Sequence, residues 1–319
     1  MASQTSPTSD AEIYPVSLAV DHIQPKRATR RWLHRFLRHR MAVIGLTMLI
    51  LIVLYVIFGS LFFTEANANF NNTKIRLQPP TQEYPFGTDT IGRNILARTI
   101  YGGQISLIIG LISVAVSVSV GMVVGILAGY FGGWIDGLLM RLTEAMLCIP
   151  SLLLLLVIAK FLSQRIPDLQ ILGRTFSGSV IVIILVVGLT SWMYLARIVR
   201  SGVLSVKQSE FVTAAQALGA PNWRIIASHI LPNILAPVIV SATLGIAGAI
   251  LSESYVSFLG LGVQAPTATW GNMLDGSRQY LAEAPWLWLA PGLLILFTVM
   301  SINFVGDGLR DALDPRSDQ

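Results

Sequence analysis

Three ionisable residues lie in or beside the long apolar runs of this sequence: Arg141, Glu144 and Glu253. Charged side chains at membrane depth are costly and mark solute or proton paths by default. Arg141 and Glu144 stand at i, i+3 and can pair on one helix face, either as a structural pair or as part of such a path. Glu253 is read two ways: it faces a water-filled path, or it holds the bend at 257–262 through hydrogen bonds. Three such residues are few for a proton relay. Other chemistry is missing. The sequence has no G-x-x-x-x-G-K-[ST], so no phosphate loop for ATP, and neither H-E-x-x-H nor G-x-S-x-G. Its histidines, His22, His34, His39 and His229, fall outside the apolar runs, so no metal site is expected in the membrane. The single cysteine, Cys148, excludes an intramolecular disulfide and a cysteine metal cage. In its apolar run it reads as a small buried side chain. No nucleophile–base pair emerges. The chain is expected to be no enzyme and to bind no cofactor of its own.

The elements that must position these residues are membrane helices. Hydrophobic residues make up 53% of the chain and charged residues 12%, against roughly 25% charged in a soluble domain. That excludes an ordinary soluble enzyme and an unfolded chain. A helix needs about 20 apolar residues to cross a bilayer. Runs at 41–64, 99–135, 175–196, 234–258 and 284–306 meet that length. A sixth, 145–159, is short unless its helix starts near Ile135 and takes in Arg141 and Glu144. The expectation is an all-α polytopic membrane protein with about six transmembrane helices and both termini on one side. Seven of the 22 basic residues lie between Lys26 and Arg40. Arg197, Arg200, Lys207 and Arg224 follow the fourth span. The excess of Lys and Arg makes that side cytoplasmic. Lys160, Arg165 and Arg174 oppose this weakly. Such clustering is no nucleic-acid face. No cleavable signal peptide is apparent, because the first apolar run follows about 40 polar residues and is too long for a signal core.

Residues 1–25 are rich in Ser, Thr, Pro and Asp and are expected to be disordered. Trp32, Leu33, Phe36 and Leu37, with arginines between them, describe an amphipathic helix. It is either a membrane-surface elbow or a plain topology determinant. Ser117, Gly121, Gly125 and Gly129 repeat every fourth residue, which allows close helix approach or a sliding face.

Residues 201–232 carry the strongest pattern. Glu210 to Leu218 predicts a helix with Phe211, Ala215 and Leu218 on one face. Gly219 suits a left-handed cap. Pro221 suits the first turn of a second helix, with Trp223, Ile226 and Ile230 as its stripe. Pro232 then leads into the fifth span. The product is a helix–turn–helix element too polar to cross the membrane. Either it is a knob for a partner's groove, with Ala214, Ala215 and Ala217 permitting close approach, or it packs against its own bundle.

Thr213-Ala214-Ala215, then Gly219, then Leu231-Pro232 resembles the EAA loop of ABC importer permeases, with Thr213 and His229 departing from that pattern. Residues 85–110, 128–141, 252–262 and 303–316 resemble the second permease subunit of dipeptide, oligopeptide and nickel importers. The resemblance implies a type I ABC importer permease fold. It divides the chain into a disordered cytoplasmic tail (1–29), an N-terminal permease region (30–98), a transmembrane domain (99–306) with a cytoplasmic coupling loop (201–232), and a C-terminal cytoplasmic tail (307–319). It implies a bacterial or archaeal plasma membrane and four kinds of partner. These are a second homologous permease subunit, two ATP-binding cassette subunits that carry ATP and Mg, an extracytoplasmic solute-binding protein and the lipid bilayer. Ala214, Ala215, Gly219, Leu231 and Pro232 would serve coupling, with Glu210 and Arg224 as polar contacts to the ATPase. The solute implied is a di- or oligopeptide. Nickel, a metal chelate or a glycoside, and transport driven by an ion gradient, are the alternatives.

Overall fold

The computed structural model describes residues 25–162, 165–171 and 174–313. The expected disorder of residues 1–24 and the end of the C-terminal tail, 314–319, lie outside them. Helix α1 (Pro25–Arg38) carries the basic cluster and packs Phe36 against α13 (Trp286–Leu313), where a Cβ on Gly308 would sit 3.2 Å from the Phe36 ring. Helix α2 (Arg40–Phe62) follows at once. His39 caps it, its Nδ1 accepting from the Ala42 N–H at 3.1 Å. A short helix, α3 (Glu65–Asn69), opens the long connection to α4 (Ile95–Phe131). In that connection Asp89 accepts from the Ile91 and Arg93 N–H groups and from Arg93 Nε, which closes the 89–93 turn.

Among the described residues, five helical segments are long and apolar enough to cross a bilayer: 40–62, 95–131, 178–207, 222–258 and 286–313. The sixth expected span corrects the sequence reading. It is not one helix from 135 to 159 but two, α5 (Gly133–Leu147) and α6 (Ser151–Leu162), bent by 85°. Pro150 is the physical reason. It has no N–H and pushes the residue before it out of the helical region. Cys148 sits at this break and is exposed, not buried as expected. Beyond it comes a small antiparallel hairpin, β1 (Leu169–Ile171) with β2 (Arg174–Phe176), which departs from a purely helical chain.

The fourth span is α7 (Gly178–Leu189) followed by α8 (Trp192–Lys207). The break falls where Thr190 and Ser191 turn their hydroxyls back onto the Val186 and Val187 carbonyls, both at 2.7 Å. After α9 (Glu210–Ala217), α10 (Asn222–Ile225) runs through a π-helical turn (Ile226–Ile230) into α11 (Leu231–Phe258) without interruption. Pro232 therefore lies inside a continuous helical segment and does not separate two helices. The Leu231 N–H reaches back five residues to the Ile226 carbonyl, and this wider turn makes room for the proline. A short helix, α12 (Trp270–Asp275), tucks into the bundle before α13.

Helix α4 is the spine. Its small residues meet α8: a Cβ at Gly125 would lie 2.6 Å from the Ala196 carbonyl, and one at Gly129 would lie 2.8 Å from Val203. The Ser117–Gly129 spacing thus serves close packing. Asp136 and Arg200 add a bidentate ion pair, 2.5 and 2.6 Å, between α5 and α8. At the far end Trp270 is fully buried. Its indole N–H donates to the Thr99 carbonyl (2.9 Å) and its backbone N–H to Ser106 Oγ (3.1 Å). We call the end of the bundle that carries residues 208–221 the loop end.

Candidate functional site: the loop between the fourth and fifth spans

Helix α9 closes with two backbone bonds. The Gly219 N–H donates to the Gln216 carbonyl (2.9 Å), and the Ala220 N–H to the Ala215 carbonyl (3.1 Å). That is the Schellman arrangement, with Gly219 at φ +79° as its left-handed residue. Pro221 then precedes α10, so the chain reverses within four residues.

The hairpin has two faces. Its base is built into the bundle: Val212, Ile225 and Ile230 are buried in one cluster with Tyr130 of α4 and Val203 of α8. Its outer side is apolar and open. Leu218 is 89% exposed, Trp223 71% and Phe211 48%. Of the expected stripes, Phe211, Leu218 and Trp223 therefore point outward, and Ile230 points in. Packing against its own bundle therefore holds for the base of the element, and its outer side is left open.

Two bonds tie the hairpin to the last turn of α4. Tyr130 Oη donates to Asn222 Oδ1 (2.8 Å), and Lys207 Nζ donates to the Tyr130 carbonyl (2.6 Å). The ammonium also lies 5.4 Å from the Tyr130 ring centre. Lys207 ends the helix before the hairpin and Asn222 begins the hairpin's second helix, so one buried tyrosine holds both the entry to the hairpin and its return arm. Sequence reasoning missed Tyr130, Lys207, Val212 and Ile225. No local pattern could have joined residue 130 to residue 222.

The residues singled out from sequence divide. Glu210, Ala214, Gly219 and Arg224 lie exposed on the hairpin, and Ala215 is half-buried at its cap. Leu231 is half-buried and Pro232 exposed; they sit beyond the π-helical turn, away from Leu218 at the tip. Arg141 and Glu144 do pair, at 3.7 Å, but on the open face of α5, with side chains 86% and 60% exposed. Glu253 is fully buried in the half of α11 away from the loop end. It accepts from Ser257 Oγ (2.7 Å), which itself accepts from the Val263 N–H (3.2 Å), and from Ser106 Oγ at 3.5 Å. It therefore holds the bend after α11. Among the described residues no group of three His, Cys, Asp or Glu could hold a metal ion.

Two family models match the chain. Residues 121–319 match the binding-protein-dependent transport system inner membrane component, and residues 28–80 match the N-terminal TM domain of oligopeptide transport permease C. The chain belongs to this family of inner-membrane transport components. It is 43% identical over 279 residues to the dipeptide transport system permease protein DppC of Alkalihalophilus pseudofirmus, covering 88% of this chain and 87% of that one. It is 40% identical over 283 residues to the oligopeptide transport system permease protein OppC of Escherichia coli, covering 88% and 89%. To OppC of Haemophilus influenzae it is 35% identical over 319 residues, covering 98% of both. The permease is therefore a multi-pass inner-membrane protein and a transport subunit that works with other ABC subunits.

Proposed function

We propose that this permease carries di- or oligopeptides inward through an ATP-driven importer, with the 201–232 loop receiving the work stroke. The observation that carries this is the hairpin itself: a helix pair rooted in the bundle that leaves Phe211, Leu218 and Trp223 open to solvent. A rooted, apolar-tipped element is built to be pushed. The chain has no phosphate loop, so the push comes from a partner that binds ATP and Mg. A pair of ATP-binding cassette subunits supplies it, a second permease completes the path, and an extracytoplasmic binding protein delivers the peptide. The peptide reading is supported by the names of the relatives. We read the loop end as cytoplasmic because Lys207, Arg200 and the basic helix α1 belong to it, and on this reading both termini would be cytoplasmic. Docked ATPases shift the bundle between outward- and inward-open states only through different affinities for the two.

The test is the whole complex in proteoliposomes. ATP-dependent uptake of a labelled dipeptide should persist when the proton gradient is collapsed, and nickel should not compete. Uptake that follows the gradient, or uptake by this chain alone, overturns the proposal. Gly219→Val probes the turn. Open space surrounds the site of a new Cβ, so the cost is backbone strain alone, about 1–2 kcal/mol. Membrane insertion is expected to be normal and coupled uptake to fall about tenfold or more. Unchanged uptake would refute the assigned role of the turn.

A further inference from the structure

Two cavities open beside α8 and α11, and Glu253 lines neither. The first, about 330 Å³, sits halfway along α4 between Ser113 and Ser117, the α7–α8 break at Ser191, Tyr194 of α8 and Ser241 of α11. The second, about 670 Å³, runs towards the loop end past Asn233 and Pro237 to Arg310. Ile198, Ser241 and Leu244 line both, so the two join. Each falls within the roughly 300–1,000 Å³ usual for small-molecule sites.

The first cavity is lined by hydroxyls and aliphatic groups and by no charged residue. Ser113 donates to the Ile184 carbonyl (3.2 Å) and Ser191 to the Val187 carbonyl (2.7 Å). No partner is present among the described residues for the hydroxyls of Ser117, Tyr194 and Ser241. Unpaired hydroxyls at membrane depth are costly in lipid and belong beside water or a polar solute. A second observation points the same way. The helix break at Thr190–Ser191 falls at this cavity, and broken helices at the midplane persist where they line a solute space.

We propose that this joined cavity is the permease's wall of the solute path, and that it takes the peptide by its backbone. The inference rests on the import of peptides proposed above. Hydroxyls both donate and accept, so they match the alternating N–H and C=O groups of an extended chain whatever its side chains. They are poor ligands for a bare divalent transition metal, which favours imidazole, thiolate or carboxylate. Arg310, at the loop-end mouth, offers a charge for a terminal carboxylate as it leaves.

The experiment uses the whole complex with Cys148→Ser and one new cysteine. Ser241→Cys and Tyr194→Cys should react with a water-soluble, membrane-impermeant thiol reagent given access to both membrane faces. Ile239→Cys, on an exposed stretch of α11 outside both cavities, should not. Modification at 241 should block uptake, and a saturating tripeptide with ATP should slow it about tenfold. Tyr194→Phe with Ser241→Ala should lower uptake about tenfold, as expected for two lost hydrogen bonds, with the complex intact. If position 241 stays unreactive, or reacts at the same rate with and without peptide, in a complex that still imports peptide, this site is wrong and the peptide importer stands. If nickel protects position 241 and peptide does not, the assigned chemistry is wrong. If the unmodified complex imports no peptide, the function itself fails.

Discussion

Leu218→Glu should leave the permease folded and inserted yet cost it at least about 100-fold in affinity for its ATPase subunits, or about 2.7 kcal/mol. Leu218 is the most open of the large apolar residues described in the permease. It follows the last turn of α9 directly, and its N–H already bonds the Ala214 carbonyl, a bond the substitution keeps. Surface changes that touch no cap, cavity or buried group usually alter stability by less than about 0.5 kcal/mol. Within a partner's apolar groove the same carboxylate loses its water and finds no counter-ion, a penalty of several kcal/mol. Copurification of the ATPases with the variant measures the first effect, and thermal unfolding of the detergent-solubilised permease checks that the fold is unharmed. Leu218→Met, of similar volume, should bind normally. Full ATPase binding by Leu218→Glu would move the docking surface away from the hairpin tip.

How much of this was legible beforehand differs by level. The spans could be read because bilayer thickness imposes one length, and apolar runs of that length are visible without any tertiary knowledge. Breaks within the spans were harder. The span-length argument joins 135–159 into one helix, whereas Pro150, which cannot donate to the ladder, breaks it. At Thr190–Ser191 there is no Gly or Pro at all. Two hydroxyls fold back on carbonyls at the α7–α8 break, but Ser119, Ser254 and Ser301 make the same bond inside unbroken helices, so residue type alone does not announce it. The π-helical turn before Pro232 depends on five-residue bonds that no hydrophobic period announces. Gly219 was legible because a helix followed by glycine and then proline has few other conformations open to it. The facing of α9 was not: Phe211 and Leu218 repeat at helical spacing as well as any core stripe, yet Val212 is the residue that goes inward. What decides this is Tyr130, 92 residues from Asn222 along the chain.

That tyrosine carries the remaining large prediction. Tyr130→Ala removes a buried ring from the cluster that roots the hairpin, together with the hydroxyl held by Asn222 and the ring beside Lys207. Loss of a buried aromatic side chain costs about 3–5 kcal/mol, and here the cost falls on the joint between the hairpin and α4. Leu218, Trp223 and Phe211 stay on the surface, so the ATPases should still bind and still hydrolyse ATP. With the root loosened, their motion would displace the hairpin and not α4, and peptide uptake per ATP should fall by about 100-fold. Tyr130→Phe separates joint from packing. It keeps the ring and the carbonyl that accepts from Lys207 and loses only the bond to Asn222, so uptake per ATP should fall about threefold to tenfold. Asn222→Ala should match Tyr130→Phe, and the double variant should be no worse than either alone, because both remove the same bond. Strict additivity of the two would show that the tyrosine acts elsewhere. If Tyr130→Ala lost ATPase binding along with uptake, the tyrosine would be shaping the docking surface, not transmitting force from it.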